Sequence, residues 1–149
     1  MKRRLGFSIV AFVLLTVVCS GCSTLSDVQR VKEEGTEGTT KVYPVTPDQA
    51  WEISKAVFRW EGCDAIEEHR ADGYMLTSSG MNLVSWGAVM GVWVKPLGSG
   101  ETEVTVVTKR RITINAFTTL TEGTFHRRFA QAVPIVQKGE KLPLKPPAE

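Results

Sequence analysis

The residues of this chain that are best suited to chemistry are its three cysteines and two histidines. Cys19 and Cys22 stand three positions apart, whereas Cys63, His69 and His126 lie far downstream. A Cys-x-x-Cys pair is able to bind a metal ion or to form a redox-active disulfide, and the redox role is typical of a pair near a βαβ pattern. The segment that precedes the pair therefore decides which chemistry applies to it.

That segment has the order of a secretory signal peptide. Lys2, Arg3 and Arg4 form a cationic start, and residues 5–18 carry no charge. A positive start followed by an apolar run of about 7–15 residues is typical of such a signal, whereas a transmembrane helix usually needs about 20 apolar residues. We predict a lipoprotein signal peptide over residues 1–21, with an uncleaved signal anchor as the alternative.

The end of the apolar run resembles a bacterial lipobox, in which a cysteine after a small residue receives a diacylglycerol thioether and becomes the new N-terminus. Gly21 leads directly into Cys22, whereas Cys19 follows the bulky Val18. The family usually has an aliphatic residue where this chain has Cys19. The resemblance implies lipid attachment at Cys22, and the neutral Ser23 implies outer-membrane sorting in a Gram-negative cell.

Lipidation would remove the cysteine pair from metal and redox chemistry. Cys19 would be discarded with the signal and Cys22 capped, which leaves Cys63 as a single thiol that cannot form an internal disulfide. Cys63 is expected to be a small buried apolar residue, with a reactive or intermolecular role as the alternative.

Loss of the signal also changes the charge balance. Three of the 18 Lys and Arg residues precede Cys22, which leaves 15 against 16 Asp and Glu residues and a net charge of −1. No nucleic-acid partner is predicted from this balance. The remaining residues suit one domain.

Composition divides the mature chain into three parts. Residues 22–40 contain few apolar residues and end in a Glu-, Gly- and Thr-rich run, which predicts a flexible tether from the lipidated Cys22. Residues 41–137 carry the periodic apolar pattern of a folded domain. Residues 138–149 are rich in Pro and Lys, which favours an extended tail.

Within the domain the pattern predicts the order β-α-β-β-β-β-α. Thr46, Pro47 and Gln49 have the types expected at the start of a helix, with Thr46 and Gln49 forming a capping box. A second helix is expected to begin after Thr121 and to kink or stop at Pro134. The strands are predicted over residues 41–45, 65–70, 74–79, 89–95 and 103–109. This order predicts an α+β two-layer sandwich with an antiparallel sheet of four or five strands and two helices on one face.

Each predicted helix has an apolar face that should pack on the sheet. The faces comprise Ala50, Trp51, Ile53, Val57, Phe58 and Trp60 on the first helix and Phe125, Phe129, Ala132 and Val133 on the second.

Residues 42–79 resemble the start of small periplasmic lipoprotein domains, in which a strand leads through a Pro and a Trp-bearing helix to a Gly and then to a hairpin. Pro47, Trp51 and Gly62 stand at those places here. The accessory lipoprotein of the outer-membrane β-barrel assembly machine has helix-grip domains of this kind. The resemblance covers about residues 41–109 and implies a fold more than a partner.

The sequence carries no recognised catalytic motif. His69 and His126 have no second metal ligand at a familiar spacing. Glu67 and Glu68 are adjacent, and on a strand they would face opposite sides of the sheet. We therefore predict a protein that is not an enzyme and that holds no metal or other cofactor.

Two features predict contact with a partner. Residues 73–94 contain no charged residue, and their centre, residues 80–88, is either a recognition loop or a buried segment. The candidate contacts in the uncharged stretch 73–94 are Trp86, Met81 and Met90, since Met and aromatic residues are enriched at interfaces. A candidate basic patch for anionic lipid headgroups or an acidic partner comprises Lys109, Arg110, Arg111, Arg127 and Arg128, with ordinary solvated charge as the alternative.

These patterns together predict a lipid-anchored cell-envelope protein that faces the periplasm and acts as a non-catalytic interaction or accessory module. The alternative is a carrier of an apolar ligand held between the first helix and the sheet. A carrier would need a pocket of about 300 Å³ or more.

Overall fold

A computed structural model describes residues 24–35, 37–63, 65–78, 88–110 and 121–148 of the chain. The helices are α1 (Leu25–Glu34), α2 (Pro47–Trp60) and α3 (Glu122–Gln137). The strands are β1 (Thr39–Tyr43), β2 (Ile66–His69), β3 (Tyr74–Ser78), β4 (Ala88–Gly98) and β5 (Glu101–Arg110). From β1 onward the order of elements is the predicted one.

The strands form one antiparallel sheet in the order β1-β5-β4-β3-β2. The β4–β5 hairpin is its centre, with Val92 opposite Val106. A short 3₁₀ turn, Arg70–Asp72, joins β2 to β3 and ends at Gly73, whose φ of 73° suits glycine. The predicted α+β two-layer sandwich is confirmed, with α2 and α3 on one face of an open five-stranded sheet.

The main core lies between the sheet and the pair α2 and α3. Phe58 and Phe125 meet edge to face with their ring centroids 5.6 Å apart, and both side chains are fully buried. The capping box of α2 is confirmed, because the Gln49 N–H donates to the Thr46 hydroxyl while the Thr46 N–H donates to the Gln49 side chain. Cys63 is buried in this core, as predicted.

Pro134 does not stop α3, which continues to Gln137. The sequence predicted that the helix would kink or stop at Pro134, and of these the stop is wrong. Proline removes one backbone donor and crowds the carbonyl four residues earlier. Only three helical residues follow Pro134, so the loss affects a single turn at the helix end.

Helix α1 corrects the tether prediction, because residues 25–34 are helical and pack on the sheet face opposite α2 and α3. Val28 and Val31 are buried against Leu76, Val89 and Val107. The Thr24 N–H donates to the Asp27 carboxylate at 2.7 Å, and this bond lowers the pKa of Asp27. Apolar residues three apart on one helical face outweigh the polar composition of the segment.

Gly91 allows α1 to approach the sheet closely. A Cβ atom at this position would lie 2.8 Å from a Val28 methyl carbon and 2.6 Å from the Trp93 ring. We expect Gly91→Ala to lower the free energy of unfolding by about 1–3 kcal/mol, the usual cost of overpacking, as measured by urea denaturation. Gly123→Ala is the matched control, since a Cβ there meets no atom within 4 Å. Equal effects of the two substitutions would contradict the close packing of Trp93 and Val28 around Gly91.

Candidate functional site

A groove of about 580 Å³ is formed by the start of α2, the β2–β3 turn and the parts of β4 and β5 next to the turn that joins them. Its position follows from the topology, because these three features gather at the same end of the sheet. The lining residues are Lys32, Pro47, Asp48, Trp51, Arg70, Ala71, Asp72, Gly73, Trp93, Val94, Lys95, Pro96, Glu103 and Thr105.

Trp51 lies at one side of the groove, but its side chain is only 3% exposed and packs in the main core, as predicted. Its indole N–H donates to a Glu68 carboxylate oxygen at 2.7 Å, and the Arg70 guanidinium lies 5.3 Å from its ring centroid. Arg70 is in turn paired with Asp48 at the start of α2. The hydrogen bond from Trp51, followed by that from Lys55, lowers the pKa of Glu68. Glu68 therefore stays ionised and keeps the indole orientation fixed.

Trp93 forms the other aromatic side of the groove, on the sheet face that carries α1. Its ring stacks on Tyr74 at 5.9 Å, and Tyr74 stacks on His69 at 4.4 Å. Lys32 of α1 lies 6.0 Å from the Trp93 ring centroid, and Gln29 donates to the Tyr74 hydroxyl. Helix α1 therefore contributes directly to this side of the site. Each tryptophan has a cation over its ring, an arrangement worth about 0.5–1 kcal/mol at exposed sites.

The charges of the groove are balanced in sign. Its positive residues are Lys32, Arg70 and Lys95, and its negative residues are Asp48, Asp72 and Glu103. Lys95 stands directly opposite Glu103 on the neighbouring strand. An arrangement of this kind is suited to recognition of a surface that presents both charge signs around an apolar contact.

The residues that the sequence predicted for partner contact fall into two groups. Met81 and Trp86, like the lipid-attachment candidate Cys22, lie outside the described residues. Met90 is fully buried in the main core, so its prediction as a partner contact is wrong. Met90 lies on β4, a central strand of a sheet that has helices on both faces. The side chains of such a strand are buried on both faces, so a lack of charge there does not indicate an exposed surface.

Among the described residues, two cations of the predicted basic patch are paired with acidic side chains. Lys109 is paired with Glu37. The Arg128 Nε atom lies 3.7 Å from a Glu61 carboxylate oxygen, and its terminal nitrogen donates to the Pro147 carbonyl. Arg127 is exposed on α3. Arg111 and the side chain of Arg110 lie outside the part of the chain that the structure describes. Lys109 and Arg128 are thus each paired with an acidic residue of the same domain.

The predicted apolar-ligand site between the first predicted helix, α2, and the sheet is occupied by side chains. Ile53, Val57 and Phe58 of α2 are fully buried against the sheet and α3. The groove at the start of α2 exceeds the volume that a carrier needs, but six of its lining residues are charged. Its lining therefore favours a polar partner over an apolar ligand.

His126 is a buried polar group that the sequence analysis considered only as a metal ligand. Its Nε2 lies 3.0 Å from the Thr39 carbonyl and its Nδ1 lies 2.9 Å from the Tyr43 hydroxyl. Because a carbonyl only accepts, Nε2 carries the proton and Nδ1 accepts from Tyr43. Burial lowers the pKa of His126 and raises that of Tyr43 to about 12. Both side chains are therefore neutral, and the hydrogen bond between them joins β1 to α3.

This burial predicts a pH dependence of stability. The unfolded chain takes up a proton on His126 near pH 6.5, whereas the folded chain resists it until a lower pH. The free energy of unfolding should therefore fall as the pH drops below about 6.5, since the unfolded state then binds more protons. Urea denaturation at pH 7.5 and 5.5 measures the change. His126→Gln should reduce this difference in the free energy of unfolding, whereas His69→Gln should preserve it. A difference that disappears in His69→Gln and persists in His126→Gln would contradict the neutral, buried state of His126.

Comparison with family models, curated proteins and solved structures finds no match to this chain. Among the described residues, none of the helices has the length and apolar character needed to cross a membrane. Within the same residues, no cluster of three or more His, Cys, Asp or Glu side chains is placed to hold a metal ion.

Proposed function

We propose that this protein is a non-catalytic interaction module, anchored to the outer membrane through a lipid on Cys22 and facing the periplasm. The lipobox-like residues before Cys22 support the anchor. The observation that carries the binding role is the groove between α2, the β2–β3 turn and the β4–β5 hairpin. Its partner is an envelope protein whose surface presents charges of both signs.

Several features of the groove support protein recognition. The half-buried Trp93 is held by stacking on Tyr74 and by the cation of Lys32, so little side-chain entropy remains to be lost when a partner binds. The buried Trp51 supports Arg70 beside it. Large aromatic residues and Arg supply most of the energy in protein interfaces. Trp93, Lys95 and Glu103 lie on the central strands, which gives the contact a rigid base.

Site-specific photocrosslinking in cells tests this proposal. A photoreactive amino acid in place of Lys95, an exposed lining residue, should give a discrete crosslinked product. The same amino acid in place of Lys138, exposed outside this groove, should not. Arg70→Glu, which breaks the pair with Asp48 and the contact with Trp51, should abolish the product from position 95. A product from position 138 alone, or none at position 95, would contradict binding in the groove.

A further inference from the structure

The N-terminus of α1 lies at one particular end of the sheet. Leu25 lines a small depression together with Ala65 and Ser78. Ala65 immediately precedes β2, and Ser78 is the last residue of β3. The first residue of β4, Ala88, pairs with Arg110 at the end of β5. The described chain therefore starts at the end of the sheet where β2 and β4 begin and where β3 and β5 finish.

The groove lies toward the opposite end. The β4–β5 turn at Ser99 and Gly100 marks that end, and the ten residues of β5 extend about 30 Å at roughly 3.3 Å per residue. Asp48 stands at the start of α2, whose 14 residues separate it by about 20 Å from the helix terminus near Ala65. The far side of the groove, at Asp48, is thus about 20 Å from the end of the sheet that holds Leu25, and its near side, at Lys32, is about 10 Å along α1 from Leu25.

The chain between the proposed lipid and the domain is very short. Thr24 caps α1 and stands two residues after Cys22, a distance of at most about 7 Å for extended chain. Val28 and Val31 hold α1 against the sheet. A lipid on Cys22 would consequently hold this end of the domain at the membrane surface, with little freedom to reorient.

We infer that the pole formed by Thr24, Ala65 and Ser78 faces the lipid bilayer and that the groove opens away from it, from about 10 Å at Lys32 to about 20 Å at Asp48. This orientation rests on the proposed lipidation of Cys22. It directs the groove toward partners in the aqueous space rather than toward lipid headgroups.

Fluorescence quenching by nitroxide-headgroup lipids tests the orientation. The variants Ala65→Cys and Ser99→Cys are purified separately from membranes. Each has a new thiol at an exposed position, and this thiol is labelled with a fluorophore. Cys63 is buried and should remain unlabelled. In phosphatidylethanolamine–phosphatidylglycerol vesicles, we expect the label at position 65 to be quenched at least twofold more than the label at position 99. Urea denaturation of both variants confirms that they are folded.

Equal quenching at the two positions, or stronger quenching at position 99, would overturn the orientation while leaving the anchor in place. Flotation of the vesicles and the mass of the N-terminal peptide separate the two proposals. Protein that neither floats with vesicles nor carries a lipid on Cys22 would overturn both.

Discussion

Phe58→Ala should lower the free energy of unfolding by about 3–5 kcal/mol, the usual cost of removing a large side chain from a core. Phe58 has no exposed surface, and its ring packs edge to face on Phe125 across the contact between α2 and α3. A loss of this size is a large share of the roughly 5–15 kcal/mol that stabilises a typical domain. Urea denaturation with a tryptophan fluorescence readout measures it.

Arg59→Ala is the matched control, because Arg59 is the next residue of α2 and its side chain is exposed. Its effect should stay within about 0.5 kcal/mol, as for most surface substitutions. A Phe58→Ala variant that unfolds at the same urea concentration as the parent would contradict the packing of α2 on the sheet.

Cys22→Ser should prevent maturation and remove the mature protein from the membrane fraction. Lipid transfer to a lipobox requires a thiol, so the variant is expected to accumulate with residues 1–21 still attached. Immunoblotting of membrane and soluble fractions would show a longer species. Cys19→Ser is the control, since Cys19 is expected to leave with the signal peptide. Blocked maturation in Cys19→Ser with normal maturation in Cys22→Ser would move the lipid to the other cysteine.

The sequence predicted the order of elements from β1 onward because the signals that begin and end these elements are local. Thr46, Pro47 and Gln49 each suit the start of a helix, and the structure forms the capping box that they predict. Thr121 also caps α3, because its hydroxyl accepts a hydrogen bond from the Thr124 N–H. Signals of this kind depend on neighbours along the chain and need no knowledge of tertiary contacts.

Helix α1 was missed although its signal is present. The polar composition of residues 22–40 indicated a tether, but Leu25, Val28 and Val31 form an apolar stripe at helical spacing after the cap at Thr24. A stripe of three residues is too weak to specify a helix by itself. Its stability comes from burial against β4 and β5, which the local sequence does not reveal.

The groove was not predictable from local patterns because distant segments build it. Trp51 and Trp93 are 42 positions apart, and Lys32 belongs to a helix that the sequence analysis had assigned to the tether. The uncharged stretch over residues 73–94 suggested a recognition surface instead. Its described part is largely central strand, in which apolar residues are covered on both faces, and Met90 is buried for that reason.

The mass of the N-terminal peptide of the protein extracted from membranes tests the central claim most directly. A lipid-anchored module predicts a peptide that begins at Cys22 and carries a diacylglyceryl group on sulfur together with a further fatty acyl chain. A continuous peptide that joins residues 1–21 to an unmodified Cys22 would contradict the anchor, and with it the membrane-facing pole and the orientation of the groove.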